Sequence, residues 1–253
     1  MANPVEKDHS SGPEPVSVLT ETKSPLTEAF RAVRTNLLYL GVDEPSRKLL
    51  VTSAVPREGK TTTVANLGIT MALAGSRTLL IDADLRRAGL HRFFQLSSKV
   101  GLTSALGDQA DLAQAIHGTK LPNLFVLPSG PHVPNPPELL GSRRMAELVN
   151  HLQQQYDTLL FDSPPVASVA DALVLVGLSD GVILVIRSGA VSHEVVARAK
   201  QQLESVKANI LGALINGFDF RREAYYSPYY YYYHSYYGYG YGNSNTDGQG
   251  AEE

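Results

Sequence analysis

The segment from Arg47 to Gly75 constrains the fold more than any other part of the chain. "RKLLVTSA" is a short apolar run ending at a turn, the pattern of a strand buried on both faces. "VPREGKTTT" turns the chain, and "GKTTTVANLGITMALAG" continues as a helix that Gly75 closes. The turn matches the end of the phosphate-loop pattern G-x-x-x-x-G-K-[ST] at Gly59, Lys60 and Thr61, with Ala54 in place of the first glycine. The chemistry explains these residue types. Gly59 lets the backbone approach phosphate oxygens, and the amides at the helix N-terminus offer donors and positive partial charge. Lys60 neutralises β- and γ-phosphates, and the Thr61 hydroxyl ligates Mg²⁺. Pro56, Arg57, Glu58 and Thr62 complete a loop predicted to wrap nucleotide phosphates.

The same strand-then-helix unit recurs. "RTLLIDADLRR", "NLFVLPSG", "DTLLFDSPP", "DGVILVIRSG" and "ANILGALINGFD" read as strands. "SPLTEAFRAVRTNLLYLG", "PPELLGSRRMAELVNHLQQQY", "VASVADALVLVGLS" and "SHEVVARAKQQLESVK" read as helices. In the first helix Phe30, Val33, Leu37 and Leu40 recur at helical spacing. Near-continuous apolar strands alternating with helices predict an α/β fold, a P-loop NTPase-type and mostly parallel β-sheet with helices on both faces. A disordered tail rich in Pro, Ser, Glu and Lys is expected over 1–20, the folded domain over 21–222, and a flexible tail over 223–253.

Composition excludes several classes. The absence of cysteine removes disulfides, thiolate metal sites and thiol nucleophiles. A net charge of -3 gives no basic field for nucleic acid. The longest apolar stretch is broken by Ser179 and Asp180, short of the roughly 20 residues of a spanning helix. The N-terminus has no apolar leader. A soluble protein is expected, with any membrane role supplied by a partner.

Two strand ends carry carboxylates: Asp82 and Asp84 in "LLIDADLRR", and Asp162 in "LLFDSPP". At the C-terminal edge of a parallel sheet such groups face the ligand crevice. Aspartate also caps helices and turns. Its recurrence beside Gly59-Lys60-Thr61 favours a Mg²⁺–nucleotide site held by Thr61, Asp82 and Asp162. A tyrosine acceptor, with a pKa of about 10, must lose its proton. Asp82 is the first candidate base and Asp84 the second metal or base residue.

All tyrosines except Tyr39 and Tyr156 fall in "EAYYSPYYYYYHSYYGYGYG". This run has Gly, Ser, Pro and His between its rings rather than apolar company, so it reads as solvated chain with accessible hydroxyls.

The combination of "AVPREGKTT", "LLIDADLRR" and "LLFDSPP" resembles the Walker A, A′ and B motifs of the bacterial tyrosine kinases, across roughly Lys23 to Arg222. "EAFRAVR" is similar to the family's E-x-x-R-x-x-R helix at Glu28, Arg31 and Arg34. That helix implies a ring-like homo-oligomer. Its bland alternative is a solvated face with a weak Glu–Arg pair. The resemblance implies Mg²⁺ and ATP as cofactors. It implies autophosphorylation at Tyr225, Tyr226, Tyr229, Tyr230, Tyr231, Tyr232, Tyr233, Tyr236, Tyr237, Tyr239 and Tyr241. A membrane adaptor of the polysaccharide co-polymerase class, a protein-tyrosine phosphatase and a place at the inner face of the plasma membrane are also implied. Asn216 is either an adenine contact or a turn residue before Gly217. Phosphates on the tail would add about -1.5 to -2 each, so the oligomer should be phosphorylation-sensitive. The chain departs from the pattern at Arg57, Ala88 and Ser163, where the family usually has Gly, Pro and Thr. The main rival is a partition or division-site ATPase without kinase activity. Those proteins carry a lysine early in the loop, where this chain has Val55.

Overall fold

The apolar strands alternate between two cores, and that alternation sets how the sheet is covered. In the computed structural model, which describes residues 24–40 and 46–218, β1 (Lys48–Ser53) sends Leu50 to one face and Leu49 and Val51 to the other. β2 (Thr78–Asp82) and β5 (Thr158–Asp162) do the same, with Leu79, Ile81, Leu159 and Phe161 opposite Leu80 and Leu160. A strand covered on both faces needs no polar face, which is why these runs are continuously apolar. The predicted tails lie outside the described residues. The chain divides into two units, Met1–Asn216 and Gly217–Glu253, and every element named here belongs to the first.

One layer contains α1 (Pro25–Leu40), α2 (Lys60–Leu73) and α3 (Leu90–Phe93), which contribute Phe30, Leu67, Ile69 and Leu90. The other contains α4 (Leu102–Leu106), α5 (Leu112–Ala115), α7 (Arg143–Gln153), α8 (Asp171–Val176) and α9 (His193–Ser205). These bury Leu102, Ala115, Met145, Leu152, Leu175 and Leu203. The sheet order is β3-β4-β2-β5-β1-β6-β7. Its outer strands are β3 (His117–Gly118), β4 (Leu124–Leu127), β6 (Gly181–Arg187) and β7 (Ile210–Asn216). All pairs are parallel except β3 with β4, so the expected doubly covered, mostly parallel sheet is what forms.

Two helices differ from expectation. The single helix read over "PPELLGSRRMAELVNHLQQQY" is two, α6 (Pro136–Leu140) and α7. Gly141 ends the first, and the Ser142 hydroxyl caps the second by accepting from Met145 N at 3.2 Å. The helix expected over "VASVADALVLVGLS" shrinks to α8, because the chain after Pro165 first crosses the mouth of the crevice. Between β2 and β4 the short α3, α4, α5 and β3 fill a region whose sequence showed no clear period.

Candidate active site

The phosphate loop joins β1 to α2. Gly59 opens the helix with φ 96°, a left-handed conformation that costs glycine nothing. A Cβ there would also run into the Asn216 side-chain amide. Lys60 follows at 7% exposure. Burial lowers its pKa, and Asp162, Asp84 and Glu58 act in the opposite direction.

Register brings the strand-end carboxylates together. Asp82 is the direct partner of Asp162 across β2 and β5, and Val51 of β1 also pairs with Asp162. The Thr61 hydroxyl donates to Asp162 Oδ2 at 2.6 Å. Asp82 Oδ2 accepts from the amides of Gly89 at 2.9 Å and Leu90 at 3.0 Å. The remaining oxygens, Oδ1 of Asp82 and Oδ1 of Asp162, are buried without a hydrogen-bond partner. Burial pushes the Asp82 carboxyl up to about 7, against the two amide hydrogen bonds. Burial, then the neighbouring Asp82 charge, holds Asp162 well above the usual carboxylate range, opposed by Thr61 and Lys60.

Two buried acceptor oxygens beside a threonine hydroxyl fit a divalent cation that takes further ligands from phosphate and water. Among the described residues no group of three His, Cys, Asp or Glu side chains forms a metal cage. A site with so few protein ligands suits Mg²⁺ bound together with a nucleotide rather than alone.

A crevice of about 620 Å³ opens above this floor. The loop contributes Pro56, Arg57, Gly59, Lys60, Thr61 and Thr62; the rest of the lining includes Asp84, Arg86, Arg87, Pro164, Pro165 and Arg187. Arg57 holds φ 69°, a conformation rare for a residue with a side chain. It occupies the position where the resemblance expects glycine. Asp84 lines the crevice and accepts from Arg87 N at 2.9 Å. Asp82, placed first as a base from sequence, is fully buried behind the crevice wall.

Glu58 and Asn216 take positions that the sequence does not reveal. Glu58 is 1% exposed and its side chain turns away from the crevice. Its carboxylate accepts from Val55 N at 2.8 Å and Arg187 N at 3.1 Å. The Asn216 amide donates to the Glu58 carbonyl at 2.9 Å. Both side chains brace the loop from behind.

A further pair escaped sequence reasoning. Arg86 donates from Nε and from an Nη to both oxygens of Asp171, at 2.8 and 3.1 Å, and Asp171 is fully buried. This ties the loop after β2 to the start of α8. The available signal was a lone aspartate inside the apolar run "VADALVLV".

On α1, Arg31 pairs with Glu28 at 2.6 Å within the helix. Arg34 donates to the Thr70 carbonyl of α2 at 2.9 Å, holding the helix to its own chain. The expected tyrosine acceptors lie outside the described residues. Of the two other tyrosines, Tyr156 is in the core and Tyr39 is exposed.

Residues 58–215 match the AAA domain family. The chain is 43% identical over 214 residues to the tyrosine-protein kinase YwqD of Bacillus subtilis, covering 85% of this chain and 90% of that one. The kinase domain of the Escherichia coli tyrosine kinase ETK superposes with a TM-score of 0.77 at 31% identity, covering 84% of each chain. The septum site-determining protein MinD of Pyrococcus horikoshii, complexed with Mg-ADP, matches less closely. Its TM-score is 0.58 at 25% identity, over 67% of this chain and 69% of that one.

Proposed function

This chain belongs to the family of bacterial protein-tyrosine kinases, and on that premise we propose that it transfers the γ-phosphoryl group of ATP to tyrosines of its own C-terminal cluster. One observation carries most of the weight. Lys60 and Thr61 line one crevice, Thr61 donates to the buried Asp162 behind it, and Asp162 is paired in register with Asp82, the combination that suits a Mg²⁺–nucleotide complex. When bound, that complex supplies the phosphoryl group and neutralises charge in the transition state.

The chain's own residues divide the remaining work. Backbone amides from Gly59 onward orient the phosphates. Lys60 offsets their charge. Thr61, Asp82 and Asp162 hold the cation. The phenol proton passes to a carboxylate. Asp84 is the one on the crevice wall, and Asp82, with a carboxyl near 7, is matched in basicity but set deeper. Asp84→Asn and Asp82→Asn therefore separate the two: loss of transfer with nucleotide affinity intact marks the base, and loss of both marks the metal ligand.

The proposal extends to partners. A ring-like homo-oligomer would form through α1. An adaptor of the polysaccharide co-polymerase class would hold the kinase at the inner face of the plasma membrane, and a phosphatase would reset the tail. The process served would be capsular or extracellular polysaccharide synthesis and export. No helix among the described residues is long and apolar enough to cross a membrane, which is compatible with anchoring by a partner.

The test is phosphosite mapping after incubation with Mg-ATP, with and without an adaptor tail peptide. Labelling should concentrate between Tyr225 and Tyr241 and disappear on truncation after Arg222, with nucleotide binding retained. The likeness to MinD favours one rival, a plain ATPase. Hydrolysis of ATP with no phosphotyrosine under any of these conditions would establish that rival.

A further inference from the structure

Four arginines line the crevice, Arg57 in the phosphate loop and Arg86, Arg87 and Arg187 outside it, and among the described residues only Arg86 has an ion-pair partner. Arg86, Arg87 and Arg187 line the same space as Lys60. Arg86 is held by both oxygens of the buried Asp171. Arg87 and Arg187 are anchored differently, each through its main chain. Arg87 N donates to Asp84, and Arg187 N donates to Glu58. Their guanidiniums are exposed and have no hydrogen-bond or ion-pair partner among the described residues. Pro164, Pro165 and Val169 line the same crevice and give it an apolar wall. The crevice thus has phosphate donors at Gly59–Thr61 and, outside the phosphate loop, two arginines without a partner among the described residues, together with apolar lining suited to an aromatic ring.

Resting on the kinase reading above, we propose that Arg87 and Arg187 form a phosphotyrosine subsite beside the transfer site. A tyrosine two positions from one already phosphorylated is then the preferred acceptor. The occupant's chemistry is written in the tail, where Tyr229 to Tyr233 are consecutive. In an extended segment, residues two apart lie on one side of the chain and are separated by about 7 Å, so a phosphate and a free hydroxyl can enter one crevice together. Guanidinium pairs with a phosphate dianion through charge-assisted, bidentate hydrogen bonds, and arginine clusters are a recurring means of recognising phosphorylated motifs. In each round the acceptor's phenol oxygen bonds to the γ-phosphorus while the bond to the β–γ bridging oxygen breaks. ADP leaves with that electron pair, and the phenol proton goes to a site carboxylate. The phosphate held by the arginines is not consumed, so the first transfer speeds the next.

The test uses the full chain and two synthetic peptides spanning Ala224–Ser235, one unmodified and one with phosphotyrosine at position 231. Peptide binding is measured with Mg-ADP present, transfer is measured with Mg-ATP, and nucleotide affinity is measured separately. The primed peptide should bind about 10-fold tighter, with KM lowered by about the same factor and kcat little changed. Arg87→Ala and Arg187→Ala should each remove most of that advantage and leave nucleotide affinity and the unprimed peptide's kinetics unchanged. Arg187→Lys should keep part of it. Equal binding of the two peptides by the wild type would overturn the subsite. So would variants that lose nucleotide affinity instead, since the arginines would then belong to the ATP site. Selective binding of the primed peptide with no transfer to either would sink the kinase reading and leave the anion subsite standing.

Discussion

The centre of the sheet and its outer edge are made from the same repeating unit and end with opposite character. At the centre, Leu50, Leu80 and Leu160 are fully buried, and the strand-end carboxylates Asp82 and Asp162 are held by register and surrounded by protein. At the edge, α1 and β7 leave Leu38, Tyr39 and Ile215 exposed at 65%, 74% and 59%. The centre has no freedom to rearrange, because its side chains interlock on both faces. This suits it to hold carboxylates away from water, with Oδ1 of Asp82 and Oδ1 of Asp162 buried without a hydrogen-bond partner among the described residues. The edge keeps apolar surface uncovered, which suits it to contacts with something outside the chain. A hydrogen bond runs from the edge to the phosphate loop: the last residue of β7, Asn216, holds the Glu58 carbonyl.

The sharpest attempt to break this comparison is at the centre. Lys60→Met and Asp162→Asn should each reduce tyrosine labelling by roughly 100-fold or more, with circular dichroism spectra like the wild type. Transfer within 10-fold of wild type would move the reaction elsewhere.

The buried carboxylates give a pH signature. Asp82 titrates at about 7 in the folded protein and Asp162 is also raised, against about 3.9 for an ordinary aspartate. A raised carboxyl keeps its proton in the folded state after the unfolded chain has released it. The stability tied to these groups is therefore greatest below pH about 4 and falls as pH rises toward 7. A bound cation favours the charged forms, so the gain in Tm from Mg-ADP should grow between pH 6 and pH 8. A gain that is flat across that range would remove the pair from the metal site.

The link between the regions should have a smaller effect. Asn216→Ala should raise KM for ATP by roughly 5-fold, the worth of about one hydrogen bond, with kcat nearly unchanged. No effect would mean that edge and centre are uncoupled. The smallest effect belongs to the edge itself. The exposed Glu28–Arg31 pair should contribute about 0.3 kcal/mol to stability, so Arg31→Ala should leave Tm within about 1 °C. Sedimentation velocity then decides its role. A shift to monomer at unchanged stability would make α1 an interface, and an unchanged profile would make it a solvated face. Phosphorylation of the tail should produce the same shift to monomer.

Much of the site is legible in sequence because its parts are local. Gly59, Lys60 and Thr61 are adjacent, and their position between an apolar run and a helical period marks them as a phosphate loop. Glu58 shows the limit. Its place inside the loop pattern suggests a residue facing the nucleotide, yet its buried carboxylate turns inward to accept from the amides of Val55 and Arg187. Asp82 and Asp84 show it again. Both stand at one strand end, and only packing decides that Asp84 reaches the crevice while Asp82 lies behind it.

By itself, the order of residues determined the strand and helix pattern, the phosphate loop, the carboxylates at two strand ends and the tyrosines gathered beyond Arg222. Periodicity and motif spacing depend on residues a few positions apart, so they can be read along the chain. Tertiary structure alone decided the strand order, the pairing of Asp82 with Asp162, the clamp of Arg86 on Asp171 and the brace from Asn216 to Glu58. The last two contacts join residues 85 and 158 positions apart. No local period encodes such a meeting; it follows from which faces of the sheet the helices cover and which strands that covering brings side by side.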